Sequence, residues 1–213
     1  MRRVRWCLEP PRDTKPPMKF CSACGQEVVY RVPDDGDHLP RHVCPACGTV
    51  HYLNPKLIVG VIPEAVDGRI LMCRRNIEPR FGKWTFPAGF MELGETSAQG
   101  AAREALEESQ AEVEVDGLVA VINVPYVDQV HLIHRGHLRG PHYGPTSESS
   151  EVQLMREEDI PWEEIAFPTI YRGLRYFFDD RRAGQHSVHT LDLVRRPTRE
   201  DRADIGRWLS EAS

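Results

Sequence analysis

Three glutamates lie close together in residues 101–109, which read AAREALEES. If this stretch forms a helix at about 100° per residue, Glu107 lies about 60° to one side of Glu104 and Glu108 about 40° to the other. Like charges at these spacings destabilise a helix by about 0.2–0.5 kcal/mol per pair. A bound divalent cation such as magnesium offsets this repulsion, because hard cations select clustered carboxylate oxygens. A solvated acidic face is the alternative interpretation.

The helix that carries these glutamates has a predicted start and a predicted packing face. Thr96 followed by Gln99 has the spacing of a capping box, which places the start of the helix at Thr96. The arc opposite the glutamates is expected to pack on a sheet and consists of Ala98, Ala102, Ala105 and Leu106.

The glutamates also end a longer pattern. Residues 82–109 read GKWTFPAGFMELGETSAQGAAREALEES, in which a glycine, five residues, a glutamate, seven residues and then Arg-Glu-x-x-Glu-Glu follow one another. This pattern resembles the Nudix box, and the matching positions are Gly89, Glu95, Arg103, Glu104, Glu107 and Glu108. The chain is therefore similar to Nudix hydrolases, which implies a catalytic protein rather than a silent nucleotide-binding fold.

The resemblance implies a metal site on the carboxylate stripe. Glu107 and Glu108 are the expected ligands of Mg²⁺ (or Mn²⁺), and Glu104 is either a further ligand or a base for the attacking water. Gly89 allows its backbone carbonyl to reach the metal. Gly100 falls on the same side of the helix, where the lack of a side chain is expected to leave room for a diphosphate.

Other positions of the box support the site. Arg103 is expected to pair with Glu107 or Glu95, and Gly94 permits the tight turn into the helix. The family pattern has a glycine after the last glutamates, but this chain has Gln110. Because that position usually adopts a left-handed conformation, strain is expected where the helix ends.

A second set of residues indicates a zinc site. Two Cys-x-x-Cys pairs, each followed by glycine, occur in the segments CSACGQ and CPACGT. Their spacing favours tetrahedral thiolate coordination of Zn²⁺ over disulfides, and a site filled by four thiolates is structural. The expected ligands are Cys21, Cys24, Cys44 and Cys47. His51 and the other histidines nearby are expected to be loop or strand residues.

Composition limits the class of protein. The chain has 213 residues and a net charge of −5, which argues against a nucleic-acid partner bound through a broad basic surface. No apolar stretch reaches the roughly 18 residues of a membrane span, so no membrane partner and a cytoplasmic location are expected. The predicted segments are a disordered tail over 1–17, a zinc ribbon over 18–53, a catalytic domain over 54–183 and an extension over 184–213.

The remaining elements predict an α/β fold. Residues 54–75 read as two strands joined by a turn at Asp67 and Gly68, and further strands are expected in AEVEVDGLVAVINVP, DQVHLIHRGHLRG and EVQLM. A second long helix begins near Pro168, and a short amphipathic one is expected around Ile205, Trp208 and Leu209. Together with the resemblance, this pattern predicts a Nudix α/β/α sandwich with a mixed sheet after the zinc ribbon.

The resemblance also bears on the substrate. Over residues 18–180 the chain is similar to the zinc-ribbon Nudix group that includes the plant chloroplast FAD pyrophosphatase. This implies hydrolysis of FAD to AMP and FMN, or of ADP-ribose, for which Pro125 lies near a marker proline. The Ser-Gln-Pro-Trp-Pro-Phe-Pro motif of zinc-bearing NADH pyrophosphatases is missing after the box, which places NADH behind these two substrates.

Several points stay open in the sequence. A further catalytic glutamate is often supplied by a later loop in this family; SESSE offers Glu148 and Glu151, and Glu151 is preferred because a strand follows it directly.

The zinc ribbon could instead present capped RNA, or the whole chain could act as a ligand-sensing regulator. The expected partner is a small dinucleotide diphosphate, and a homodimer is common in the family. The strand residues His131, His134 and His137 are not expected to form a common metal site.

Overall fold

The computed structural model describes residues 18–198 of the chain. These residues divide into two compact units, with the boundary in the chain between Asn54 and Pro55. The predicted tail over 1–17 and the predicted helix around Ile205, Trp208 and Leu209 lie outside the described residues.

The first unit is a three-stranded antiparallel sheet with two cysteine-bearing turns. Gly25 and Gly48 have φ values of 76° and 75°, and each donates its N–H to the carbonyl of the first cysteine of its turn. The two turns therefore have the same geometry, which only glycine adopts without strain. The strands are β1 (Val29–Arg31), β2 (Arg41–Val43) and β3 (Val50–His51).

The second unit is an eight-stranded mixed sheet flanked by two helices. The strand order along the sheet is β10-β5-β4-β9-β8-β11, while β6 pairs with β5 and β7 pairs with β4. The β4–β9 and β8–β11 pairs are parallel. The elements are β4 (Lys56–Glu64), β5 (Ile70–Arg75), β6 (Trp84–Thr85), β7 (Ala88–Phe90), α1 (Ser97–Ser109), β8 (Val113–Val124), β9 (Gln129–Leu138), β10 (Ser149–Met155), α2 (Pro168–Ala183) and β11 (His189–Asp192).

The two helices cover opposite faces of the sheet. Along β5, Leu71 and Cys73 belong to a buried cluster that includes Ala101 and Ala105 of α1, whereas the alternate residue Met72 belongs to the cluster under α2. Successive side chains of a strand point to opposite faces, so this alternation separates two cores. The predicted sandwich with a mixed sheet is confirmed.

The predicted hairpin forms, but its strands separate soon after the turn. Glu64 pairs with Ile70, and Gly68 has a φ of 80° in the turn. Further along, β4 pairs with β7 and β5 pairs with β6. The segment that carries the first glycine of the box therefore runs between the two strands, where the sequence predicted only a loop.

Beyond residue 184 the chain returns to the sheet. Strand β11, which the sequence did not predict, pairs in parallel with β8. The buried Asp180 of α2 accepts hydrogen bonds from the backbone N–H of Ser187 (2.8 Å) and from His189 Nε2 (3.0 Å). These bonds fasten β11 to the end of α2.

Candidate functional site

Helix α1 begins and ends as the sequence predicts. The Thr96 side chain accepts from the Gln99 N–H, and the Gln99 side chain accepts from the Thr96 N–H, which completes the capping box. At the other end, Gln110 is left-handed with a φ of 59° and donates its N–H to Leu106 O. Its side chain donates to Pro145 O at 2.7 Å, a bond that a glycine cannot make.

The packing face of α1 differs from the predicted one. Leu106 was expected to pack on the sheet but is 51% exposed, whereas Glu104 and Glu108 share the buried face with Ala101 and Ala105. Sequence pattern alone assigned the carboxylates to the open side because buried charges are rare. Glu104 and Glu108 of the stripe instead face β7.

The three glutamates differ in exposure. Glu108 is 5% and Glu104 9% exposed, whereas the Glu107 side chain is 56% exposed. Burial raises the pKa of Glu108 to about 8, although Glu108 Oε2 accepts a hydrogen bond from the Ala88 N–H at 3.1 Å. Burial likewise raises the pKa of Glu104. The stripe therefore contains two buried acids whose ionised forms require a positive partner.

Arg103 supplies part of that positive charge. Its Nη1 donates to Glu104 Oε1 at 2.8 Å and to Glu107 Oε2 at 2.9 Å. Its Nε and Nη2 donate to both oxygens of Glu95, and Nη2 also donates to Phe90 O. The hydrogen bonds from Arg103, followed by the Glu92 N–H, lower the pKa of Glu95 to about 2. The predicted pairing is confirmed for both Glu107 and Glu95.

Glycines bring the backbone close to the stripe. A Cβ at Gly89 would lie 2.4 Å from Glu104 Oε2, so the Glu104 carboxylate packs directly on this residue. Gly94 has a φ of 85° in the turn before α1. The reading of Gly100 as free space for a ligand is wrong, because a Cβ there would lie 2.5 Å from Glu95 Oε1 and 2.9 Å from Val59 Cγ2.

A later loop is attached to the end of α1. Thr146 Oγ1 donates to Glu108 O at 3.2 Å, and Gly144 donates its N–H to Ser109 O at 2.9 Å. Thr146 Oγ1 also accepts from the Glu148 N–H, and the Glu148 carbonyl accepts from the Asn76 N–H. These bonds hold the loop at the carboxylate stripe.

Of the two candidate glutamates, Glu148 lies in this loop, close enough to the stripe for its charge to act on Glu108, whereas Glu151 lies in β10. After burial and the charge of Glu104, the Glu148 carboxylate adds to the rise in the pKa of Glu108. Glu151, which was preferred, instead forms an ion pair with Arg74, with Oε1 2.5 Å from Nη1. Glu151 lies within β10 (Ser149–Met155) rather than before it, and this ion pair fixes its side chain.

The residue types at the stripe suit a hard divalent cation, because three carboxylates and the Gly89 backbone carbonyl offer oxygen ligands. Among the described residues, however, only the four cysteines bring three or more side-chain ligand atoms within 4.8 Å of one another. A bound cation would lower the free-energy cost of ionising the buried Glu104 and Glu108. We therefore take these residues to be compatible with Mg²⁺ or Mn²⁺.

The four predicted zinc ligands come together. Among the residues that the structure describes, their sulfur atoms form a group within 4.8 Å of one another. Sγ of Cys21 lies 3.7 Å from that of Cys47, and Sγ of Cys24 lies 3.5 Å from that of Cys44. Tetrahedral coordination with Zn–S bonds of about 2.3 Å separates sulfurs by about 3.8 Å, so the arrangement fits zinc.

Two neighbours support this cysteine cluster. Hydrogen bonds from the Thr49 side chain and backbone lower the pKa of Cys47, whereas the pKa of Cys24 is raised to about 12, against the effect of the Gln26 backbone, by hydrogen bonds with Cys47 and Cys44. His51 Nε2 lies 3.3 Å from Cys21 Sγ. His51 was expected to be an ordinary strand residue, but it contacts a ligand atom and can orient it.

The three strand histidines do not converge. His134 is buried between Gly60 O and Ser97 Oγ, His131 lies beside Gln129, and His137 lies beside Asp116. Their different partners agree with the prediction that they form no common site.

In the described part of the chain, no helix is long and apolar enough to cross a membrane.

Sequence reasoning did not assign Arg75, which lies at the end of β5 near Glu108. Its charge lowers the pKa of Glu108 against the larger effect of burial. The pair Arg74-Arg75 is visible in the sequence, but which arginine points to α1 depends on the register of β5. A strand pattern does not fix that register without the pairing partner.

Family models match both units of the chain. A Nudix N-terminal zinc ribbon matches residues 19–53, and a NUDIX domain matches residues 54–175. The crystal structure of a NUDIX hydrolase from Nitrosomonas europaea is 49% identical, with a TM-score of 0.79, and the match covers 84% of this chain and 100% of that one.

Two curated relatives carry names that state an activity. The NAD-capped RNA hydrolase NudC of Stutzerimonas stutzeri is 30% identical over 135 residues, 62% of this chain and 46% of the relative. The ADP-ribose pyrophosphatase of Methanocaldococcus jannaschii is 36% identical over 87 residues, 41% of this chain and 48% of the relative. The chain thus spans about half the length of these curated relatives.

Proposed function

This chain belongs to the Nudix family, and on that premise we propose that it hydrolyses the diphosphate bond of a dinucleotide with an adenylate half. The proposal rests on one arrangement, in which Glu104 and Glu108 are buried beside Gly89 while Glu107 stays open to a ligand. FAD, ADP-ribose and NADH share the adenylate diphosphate that such a site would take.

In this proposal Glu104, Glu107, Glu108 and the Gly89 carbonyl hold Mg²⁺ or Mn²⁺. When bound, the metal supplies positive charge to the diphosphate oxygens and acidifies a water molecule. Arg103 keeps Glu104 and Glu107 in register through its shared Nη1. The four thiolates of the zinc ribbon have a structural role only.

We propose that Glu148, rather than Glu151, is the general base that accepts the proton of the attacking water. Glu148 lies at the stripe on a loop bonded to α1, whereas Glu151 is occupied by Arg74. A general base must reach the water that it deprotonates, and a carboxylate held in an ion pair elsewhere does so poorly.

The choice of dinucleotide rests on the relatives and on the sequence together. The name of the S. stutzeri relative favours a nicotinamide dinucleotide, free or as an RNA cap, and that of the M. jannaschii relative favours ADP-ribose. NADH is therefore a candidate substrate equal to ADP-ribose, although the Ser-Gln-Pro-Trp-Pro-Phe-Pro motif is missing. FAD, with AMP and FMN as products, rests on the sequence resemblance alone.

A substrate panel tests the proposal. ADP-ribose, NADH, FAD, NAD-capped RNA and a nucleoside triphosphate would be incubated with magnesium, and the products separated by chromatography. We expect AMP from at least one dinucleotide, at a kcat/KM at least tenfold above that for the triphosphate. Faster turnover of the triphosphate would overturn the assignment, and tight binding without any product would indicate a regulator.

A further inference from the structure

A second cavity lies on the face of the sheet that α2 covers. Its apolar wall includes Val119 of β8 and Phe177 of α2, both of which belong to the core cluster under α2. The cavity extends to Glu64 at the end of β4. Gly89 of the proposed catalytic site pairs with Val59 of β4, and Glu64 lies five residues further along, about 16 Å away. The cavity is therefore separate from the carboxylate stripe.

The volume of this cavity limits what it can hold. It encloses about 230 Å³. An apolar cavity of about 150 Å³ holds benzene, whereas pockets for drug-sized ligands span about 300–1,000 Å³. The volume thus suits one six-membered ring with a small polar group, and a dinucleotide diphosphate is too large for it.

Three carboxylates line the cavity, and each already has a donor in the protein. Glu64 Oε1 accepts from Arg181 Nη1 at 3.0 Å, and Asp116 Oδ1 accepts from Arg135 Nε at 3.1 Å. The third, Asp180, accepts the hydrogen bonds that fasten β11 to α2. The protein therefore compensates the acidic groups, and they do not exclude an anion from the cavity.

The arginines of the cavity have donors left over. The guanidinium of Arg135 lies against the backbone of Gly117, where an added Cβ would be 2.9 Å from Arg135 Cζ. Within residues 18–198, only its Nε has a hydrogen-bond partner. Arg181 likewise uses only Nη1 among the described residues, for Glu64 and for Gly68 O. The cavity thus combines an apolar wall with unused guanidinium donors.

We propose that this cavity binds a small organic anion in which a single ring carries one carboxylate or phosphate group. The ring packs on Val119 and Phe177, and the anionic group accepts hydrogen bonds from the terminal amino groups of Arg135. A guanidinium fork matches two oxygens of either group. The inference goes beyond the proposed function and does not depend on it, because the two sites share no residue.

Titration with small probes tests the site and the kind of anion. Benzoate, phenyl phosphate and the neutral benzamide would be added to the full chain in magnesium-free buffer, and the backbone amide signals followed by NMR. We expect benzoate or phenyl phosphate to shift the signals of Val119 and Phe177, with a dissociation constant at least fivefold below that of benzamide. The tighter of the two anions shows whether the site prefers carboxylate or phosphate. Shifts confined to Ala88 and Gly89, equal binding of benzamide, or no shift with either anion would overturn the inference.

Substitution of Arg135 tests the proposed donor. We expect Arg135→Met to bind the anion no more tightly than benzamide, and Arg135→Lys to bind it with intermediate affinity, because lysine keeps the charge but lacks the planar fork. Arg139→Met is the matched control, since Arg139 is an exposed arginine paired with Glu114 outside the cavity, and it should change the affinity less than twofold. Melting temperatures show whether each variant is folded, and Arg135→Lys decides the matter if Arg135→Met is not. Unchanged affinity for the anion in the folded Arg135 variants would overturn the inference.

Discussion

The carboxylate stripe combines two buried side chains with an exposed one, and this gradient decides what each glutamate contributes. Glu104 and Glu108 are held against β7 by Gly89 and the Ala88 N–H. Glu107 is hydrogen-bonded to Arg103 alone among residues 18–198, and its side chain is 56% exposed. A ligand can therefore reach the site on the Glu107 side while the buried pair stays in place.

Replacement of Glu107 tests whether a cation explains the stripe. We expect Glu107→Gln to lower magnesium-dependent turnover at least a hundredfold, because a neutral amide is a poor ligand for a hard cation. Without metal, the melting temperature should change little, because the relief of one like-charge repulsion of about 0.2–0.5 kcal/mol is offset by the loss of the ion pair with Arg103, which is of similar size. Melting both proteins with and without magnesium checks this, and equal stabilisation of the two by magnesium would refute it.

Glu148 of the loop and Glu151 of β10 offer a matched pair of substitutions. Glu148→Gln should reduce kcat at least a hundredfold at unchanged magnesium affinity, because it removes the proposed proton acceptor. Glu151→Gln should change kcat less than threefold, because Glu151 pairs with Arg74. Steady-state kinetics decide between them, and the reverse order would restore Glu151 as the catalytic residue.

The backbone contact at Gly89 gives a third prediction at this scale. Gly89→Ala introduces a Cβ that would lie 2.4 Å from Glu104 Oε2, so the carboxylate must move. We expect a loss of about 1–3 kcal/mol in the free energy of unfolding, together with loss of activity. Gly144→Ala is the control, because its Cβ would meet only Gln110 Nε2 at 3.5 Å. Urea unfolding of the two variants makes the comparison.

At the scale of elements, the end of α1 couples helix geometry to the loop that carries Glu148. Gln110 adopts the left-handed conformation that glycine adopts more easily, yet its side chain holds Pro145 O. Gln110→Gly should relieve about 0.5–1 kcal/mol of strain and lose a hydrogen bond of similar worth. We expect stability to stay within about 1 kcal/mol of the wild type while kcat falls severalfold. Unchanged kcat would show that this bond does not position the loop.

Local sequence signals predicted the elements that are specified locally. The capping box at Thr96 and the turn at Gly68 formed as expected, because each depends on residues close in the chain. The predicted packing face of α1 was right for the buried Ala105 but wrong for the exposed Leu106, because a hydrophobic pattern does not predict that glutamates are buried. The strand β11 and the direction of Arg75 depend on pairing with distant strands, which short patterns do not encode.

At the scale of the whole molecule, buried ionisable groups on both faces of the sheet make stability depend on pH in opposite ways. Glu108 lies under α1, with its pKa raised by burial to about 8. His131 lies on β9, with its pKa lowered by burial to about 4. In the unfolded chain the pKa values of these two side chains return to about 4.5 and 6.5.

The signs follow from proton binding in each state. Between pH 4.5 and 8 the folded protein holds a proton on Glu108 that the unfolded chain releases, so stability is lost as pH rises through this window. Between pH 6.5 and 4 the unfolded chain protonates His131 while the folded protein does not, so stability is lost as pH falls. Burial lowers the pKa of His134 as well, and it acts in the same direction as His131.

We therefore expect the metal-free protein to lose stability above pH 6.5, by up to about 1.4 kcal/mol per pH unit towards pH 8. Below pH 6.5 the two effects largely cancel in the wild type. His131→Gln should make stability continue to rise as pH falls to 5, whereas Glu108→Gln should reduce the loss towards pH 8. Urea unfolding at pH 5, 6.5 and 8 in magnesium-free buffer, with His137→Gln as an exposed control, measures this.

Magnesium should remove the loss of stability towards pH 8, because a bound cation keeps the carboxylates ionised in the folded state. A loss of the same size with and without magnesium would contradict the assignment of Glu108 as a ligand.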